Sequence, residues 1–395
     1  MTSKPLPLAG LRVVEFVHMV MGPACGLILA DLGAEVIKVE GVEGDSTRHL
    51  TGSGAGYWPT YNRNKQSLAI DLKSGEGIEA VRALLATADI VTENFRPGAM
   101  EKLGLGYDAV RKLRPDVIYC SMKGFLPGPY EHRPALDEVV QMMGGLAYMT
   151  GPEGRPLRAG ASVNDVMGGM FAVIGILAAV VERQRSGEGQ LIQSGLFENN
   201  VFLVAQHMMQ HAVTGKPASP MPNRLSAWAV YDVFGCAGGE QVFIGAVSDA
   251  QWRKFVEVFE LHDLAADALL ATNNQRVAAR ERFMPQLREC MARLGKAEVM
   301  QRCEAAGLPF APITRPQDLF EDPHLLASQG FTDITLEGQN ATRVPRLPLV
   351  MDGTRFGTRH DLPAVGQHSR AILRELGYAD SRIDELASAG KLAGS

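Results

Sequence analysis

One acidic side chain stands at the mouth of the longest apolar run in the chain: Asp165, in RAGASVNDVMGGMFAVIGILAAVVERQRSGEGQ, residues 158–190. An aspartate there can serve in two ways. With Asn164 it can cap a helix, accepting from orphan N–H groups and suiting the macrodipole. It can also be a reagent, kept ionised by the same helix N-terminus, which would offer donors to an oxyanion forming nearby. Taken alone, the residue favours capping. Gly168 and Gly169 follow it in the first turns, where each glycine costs about 0.5–1 kcal/mol relative to alanine. Close approach by a large ligand would account for that cost and favours the reagent.

Other chemistries find less support. His207 and His211 stand four apart without an accompanying carboxylate and read as half-buried helix residues, so no metal site is expected. The five cysteines, Cys25, Cys120, Cys236, Cys290 and Cys303, form no C-x-x-C pair, and Cys25 and Cys120 lie in apolar segments as core residues do. No G-x-S-x-G occurs. GSGAG (52–56) and GLGY (104–107) lack the spacing of a dinucleotide fingerprint and read as turns.

The elements that must position Asp165 are of the α/β kind. LRVVEF (11–16) reads as a buried strand, GPACGLILADLG (22–33) as a helix closed by Gly33, and AEVIKVE (34–40) as the next strand. A helix at 74–88, a strand at 89–95 and a helix and strand within 108–125 repeat the pattern. An open sheet of this type binds ligands outside the carboxyl ends of its strands, which sets HMVMGP, ENFRPG and SMKGF on one rim. Long helices are expected from about Asp165 to Arg185 and over 196–215. KPASPMPNR (216–224) and GLPFAPITRPQDLFEDPH (307–324) are Pro-rich crossings, and between them lie two strands, AVYDVFGC and EQVFIGAV, and helices rich in Arg, Glu and Ala. An irregular, partly β segment and two short helices about Gly377 end the sequence.

Composition narrows the field. At 395 residues, two domains are expected, and the net charge of -5, with no basic tail, argues against nucleic acid. The first residues lack a signal-peptide core, and the apolar run Gly168–Val181 falls several residues short of the roughly 20 needed to cross a bilayer. A soluble cytoplasmic protein without a membrane partner is the expectation.

Several stretches together are specific: LAGLRVVEFVHMVMGPACGLILADLGAEVIKVE, GDSTR, YNRNKQSLAIDLKSGEG, VTENFRPGAMEKLGLGYDAVRKLRPDVIYCSMKGF, NDVMGGM, RQRSGEGQ, EDPHL and VGQHSRAILRELGY. They resemble the class III CoA-transferase family, which includes formyl-CoA transferase and carnitine CoA-transferase, over nearly the whole chain. The resemblance implies that Asp165 is the nucleophile. An acyl-CoA would leave its acyl group on Asp165 as a mixed anhydride with CoA thiolate held in place, and CoA would pass through an aspartyl thioester to a small carboxylic acid. No permanently bound cofactor is implied, CoA being part of substrate and product.

The resemblance also sets Val20, Met21, Ile70, Asp71, Leu72, Lys73, Asn94, Phe95, Arg96, Lys102 and Asp137 around CoA, with Lys73, Arg96 and Lys102 on phosphates. It implies a large CoA-binding domain from residues 1–215 and 325–395, a small α+β domain at 225–310, linkers at 216–224 and 311–324, and a homodimer of interlocked rings. There are departures. The formyl-CoA transferase pattern has glutamine where Val20 stands and arginine where Gly41 stands, and its glycine-rich lid is replaced by PNRLSAWAVYD (222–232). The family's racemase carries a proton-transferring His-Asp step where this chain has Leu136 and Asp137, which favours transfer over racemisation. RAGASVNDVMGGM and PNRLSAWAVYD look closest to members acting on dicarboxylic acids such as succinate or mesaconate. The rivals are an acyl-CoA racemase or isomerase of the same fold and a CoA-binding protein without turnover.

Overall fold

The computed structural model describes residues 5–224, 226–338 and 341–394; Leu225 of the PNRLSAWAVYD stretch lies outside them. The chain divides into two compact units, one made of Met1–Pro222 with His324–Ser395 and the other of Asn223–Pro323.

The first unit is built on β1 (Arg12–Phe16), β2 (Glu35–Glu40), β3 (Lys65–Ile70), β4 (Ile90–Glu93), β5 (Ile118–Lys123) and β6 (Leu191–Gly195). They pair in the order β3-β2-β1-β4-β5-β6, all parallel, and the short strand Leu392–Ala393 adds antiparallel to β3. This is the open, mostly parallel α/β sheet expected. Its connections run through α1 (Met21–Asp31), α2 (Gly75–Leu85) and α3 (Tyr107–Leu113), and then α4 (Asp137–Met143), α5 (Val163–Ser186) and α6 (Leu196–Thr214).

Both faces are covered, which is why the apolar residues of β1, Val13, Val14 and Phe16, are all buried although they divide between the two faces. Val13 packs into a layer with Cys25 and Leu29 of α1 and Ala172, Val173 and Ile176 of α5. Val14 and Phe16 pack into the opposite layer with Val81 and Leu84 of α2, Val110 of α3, and Leu373 and Ile383 of the helices Ser369–Glu375 and Asp380–Ser388. The strand order reverses between β1 and β4, so the crevice beyond their carboxyl ends is the ligand position that an α/β sheet offers.

The apolar run expected to fall short of a bilayer lies within a 24-residue helix, α5, which is long and apolar enough to cross one. In the fold, Ala172, Val173, Ile176 and Ala179 are buried in the layer under the sheet. The last turn carries Arg183, whose guanidinium reaches the carbonyl oxygens of Asp89 and Asp116.

The second unit is α+β. A three-stranded antiparallel sheet, β7 (Val230–Gly235), β8 (Gln241–Ala246) and β9 (Phe310–Pro312), packs through Phe234 and Ile244 into a core with Phe255, Phe283, Leu287 and Val299 from the helices Asp249–Val258, Arg280–Arg293 and Lys296–Ala306.

Candidate active site

Asp165 is the third residue of α5, inside the first turn and not ahead of it. The capping is done by another residue. Ser162, at the N-cap position, makes no side-chain cap bond. Instead the Asp137 carboxylate, from the start of α4, accepts through Oδ2 from the backbone N–H of Asn164 at 2.8 Å and of Asp165 at 3.2 Å. Val163 N–H is taken by the carbonyl of Ala161 and Val166 N–H by that of Ser162. The first turn therefore has no N–H left for an oxyanion, which corrects the role expected of this helix end.

Burial, then the like charge of Asp137, raise the Asp165 carboxyl to about 7, against a smaller opposing pull from Arg158. Among the described residues nothing donates a hydrogen bond to this carboxylate. Tyr61, from the helix Tyr57–Tyr61, faces the same place: burial, then the charge of Asp165, then Tyr57, raise its phenol. Sequence reasoning passed over Tyr61. The available signal was the Tyr57–Tyr61 pair at helical spacing, whose second member opens the YNRNK stretch.

Gly168 and Gly169 have a different reason from the one their cost suggested. A Cβ on Gly169 would lie 2.7 Å from the Met21 carbonyl oxygen and 3.1 Å from the Cys25 nitrogen, and one on Gly168 would lie 2.5 Å from Met21 Cε. Gly169 lets α5 approach the backbone of α1, and Gly168 makes room for the Met21 and Asn199 side chains. No ligand is needed to explain them.

The remaining expected residues divide by exposure. Val20 and Met21 are buried, Met21 being the side chain against Gly168, and the Ile70 side chain is buried in the layer opposite α5. At the end of β3, Asp71 and Leu72 are half-buried and Lys73 is exposed, with the Asp71 carboxylate accepting from Lys73 N–H at 2.9 Å. At the end of β4, Asn94 is locked to His18 beyond β1: its Oδ1 accepts from His18 N–H at 3.0 Å and its Nδ2 donates to the His18 carbonyl at 2.9 Å. The same Oδ1 lies 3.2 Å from His18 Nδ1, so Nδ1 carries the proton and Nε2 is left as an acceptor. Burial lowers the His18 pKa, and the Phe95 ring meets the imidazole edge-on at 5.7 Å. His18 also escaped notice, although it directly follows the first strand on the rim already marked for ligands.

Arg96 is exposed beside Phe95, and Lys102, also exposed, ends the single turn Ala99–Lys102. Among the described residues neither is paired with an acid. The structure thus gathers Val20, Met21, Asn94, Phe95 and Arg96 at the β1/β4 crevice and joins Asp137 to Asp165. Lys102 follows Met100, which is buried in the layer opposite α5, and no contact links it to Asp165.

A family model described as CoA-transferase family III matches residues 8–369. The succinate–glutarate CoA-transferase of Agrobacterium fabrum is 34% identical over 391 residues, covering 95% of this chain and 97% of that protein. The succinyl-CoA:mesaconate CoA-transferase of Haloarcula hispanica is 34% identical over 385 residues, covering 94% and 96%. Among solved structures, a CAIB/BAIF family protein from Brucella suis superposes with a TM-score of 0.84 at 34% identity, over 94% of this chain and all of that one.

Proposed function

Because this chain belongs to CoA-transferase family III, whose model spans residues 8–369, we propose that it moves CoA from an acyl-CoA donor to a small dicarboxylic acid with Asp165 as covalent nucleophile. The observation that carries the reading is the carboxylate itself: it starts a helix, accepts no hydrogen bond among the described residues, and titrates at about 7. Such a group is basic enough to attack and is not tied down by donors.

The steps balance without further reagents. The Asp165 carboxylate attacks the thioester carbonyl, the C–S bond breaks, and CoA leaves as thiolate while the acyl group stays on Asp165 as an anhydride. Attack of the thiolate on the aspartyl carbonyl releases the donor acid and leaves CoA on Asp165 as a thioester. The acceptor carboxylate then attacks that thioester, expelling thiolate again and forming a second anhydride. The thiolate takes the new acyl group from it, and Asp165 is free.

Relatives named for transfer to glutarate, mesaconate, L-malate and D-citramalate support a dicarboxylic acceptor. Arg158 is a cation whose charge acts on Asp165, and its terminal nitrogens stand 3.5 and 3.6 Å from Asp137 and Glu138, at the limit of hydrogen bonding. Those donors suit the second carboxylate. A racemase would need a proton carrier where Leu136 stands.

One assay tests the reading: enzyme, succinyl-CoA and C4–C6 dicarboxylic acids beside monocarboxylic acids of equal length, with new thioesters identified by mass. Transfer to dicarboxylic acids is expected. Hydrolysis alone, racemisation of a 2-methylacyl-CoA, or CoA binding without turnover would overturn it. In the same assay the double variant Arg96→Ala, Lys102→Ala should raise KM for acyl-CoA about tenfold, less at high salt, with little change in kcat. An unchanged KM would remove these two residues from the phosphate site.

We further assign a homodimer of interlocked rings. α5 and α6 leave Met170, Ile174, Val181, Phe202, Met209 and Val213 exposed, Val213 to 83%, and apolar side chains so numerous on one helix pair call for a cover. Light scattering should give twice 42.7 kDa. A fully active monomer would refute the assignment.

A further inference from the structure

Asp137 holds the place where a partner for the nucleophile would stand, and it is not free to touch CoA. Only 6% exposed, it spends Oδ2 on the N–H groups of Asn164 and Asp165 and Oδ1 on Gln141 Nε2 at 2.5 Å, with Arg158 at 3.5 Å. Gln141 is buried too, and its Oε1 accepts from Ala159 N–H at 2.8 Å. One carboxylate thus ties α4, the Arg158–Ala159 segment and the first turn of α5 together.

We infer that Asp137 is the positioning residue of this active site: it fixes the backbone from which Asp165 projects and places a second negative charge beside that carboxylate. The inference rests on Asp165 being the nucleophile.

Two physical effects follow from one geometry. The peptide N–H of Asp165 is held from outside the helix, so the Cα–Cβ bond of the nucleophile has a fixed origin and direction. Displacement of a reacting group by about 1 Å can cost as much as a hundredfold in rate. The second effect is electrostatic. Burial comes first in opposing ionisation of Asp165, whose carboxylate meets no donor among the described residues; the Asp137 carboxylate, held by Gln141, Asn164 and Asp165 donors, adds its charge to that opposition. A nucleophile whose conjugate acid is weaker attacks a thioester more readily, and titration near neutrality keeps a large part of it ionised. The groups facing Asp165 are Asp137 from α4, Arg158 from the segment before α5, and Tyr61 from the helix Tyr57–Tyr61. Of these, Asp137 is the anion.

The test is Asp137→Asn beside Asp137→Ala. Asparagine keeps an acceptor oxygen for the two N–H groups and removes the charge. In that variant the acid limb of the kcat/KM profile should move to lower pH by about one unit, and the plateau should fall less than tenfold. A 13C-NMR titration of the Asp165 carboxyl should show the same downward move without reference to turnover. Alanine loses both effects and should lower kcat by about 10- to 100-fold. If the alanine variant does not fold, the asparagine variant carries the test alone. A limb and a carboxyl titration that coincide with those of the unaltered protein would overturn the inference. Full activity in Asp165→Ala would instead overturn the assignment of the nucleophile, so the two failures are distinct.

Discussion

Asp165→Ala should lose CoA transfer by about 10^4-fold or more and remain folded. In the proposed mechanism covalent catalysis has no partial substitute: without the carboxylate neither the anhydride nor the aspartyl thioester would form, and CoA would not be handed from one acid to another. The fold survives because the side chain accepts no hydrogen bond among the described residues, while the Asp165 N–H that Asp137 holds belongs to the backbone. Stability should even rise at alkaline pH. The folded carboxyl titrates at about 7, against about 3.9 in an unfolded chain, so the native state binds more protons between those values. The contribution of Asp165 to stability therefore falls as pH climbs from about 4 to about 7 and stays unfavourable above. A melting temperature higher than that of the unaltered protein at pH 8, and little changed at pH 4, separates lost chemistry from lost structure. Hydroxylamine added with acyl-CoA should trap a hydroxamate at Asp165 in the unaltered enzyme and nothing in the variant. In the unaltered enzyme the rate should fall as pH drops through about 7. Substantial transfer by the alanine variant would sink the assignment.

Asp31→Ala should destabilise the fold by about 3–5 kcal/mol. Asp31 ends α1 with no exposure, and Arg63 beside it is 1% exposed. Arg63 donates to both carboxylate oxygens, at 3.2 and 2.6 Å, and Asn64 Nδ2 donates to Oδ1 at 2.7 Å. Removing the acid leaves a guanidinium buried and unpaired, which costs far more than the pair contributes when intact. Replacing both members with apolar residues, as in Asp31→Leu with Arg63→Met, should restore much of the loss. Thermal unfolding should show a drop of roughly 10 °C in the single variant and a clearly smaller one in the double. A single variant as stable as the unaltered protein would refute the account.

Strands flanked by helices of matching period were legible in the chain: β1, β2, β4 and β5 lie where their apolar runs put them. β3 was not. Its sequence KQSLAI carries Lys65 and Ser67 at positions that turn out to be buried, Lys65 on Glu15 at 2.8 Å and Ser67 on Glu40 at 2.5 Å. A period-two reading counts such residues as solvent-facing, and the partners that neutralise them lie 50 and 27 residues away. The YNRNK stretch was visible only as a resemblance for the same reason. Asn64 accepts from the N–H groups of Arg359 and His360, nearly three hundred residues on, and no local pattern encodes such a tie. At the candidate site, the place of Asp165 near a helix start was legible. That Asp137 caps the helix in its stead was not, because 27 residues separate the acceptor from the first donor.

The strand Leu392–Ala393 lies against β3, its backbone pairing with Ala69 and Ile70. During synthesis the ribosome has released β3 and all of Asn223–Pro323 long before residues 392–393 leave the exit tunnel. Until then β3 offers an unpaired edge to any neighbouring nascent chain. The inserted unit can finish folding early, while the sheet of the first unit waits for residues 392–393. A change that removes Leu392 and Ala393 therefore strikes β3, at the far side of the inserted unit in sequence.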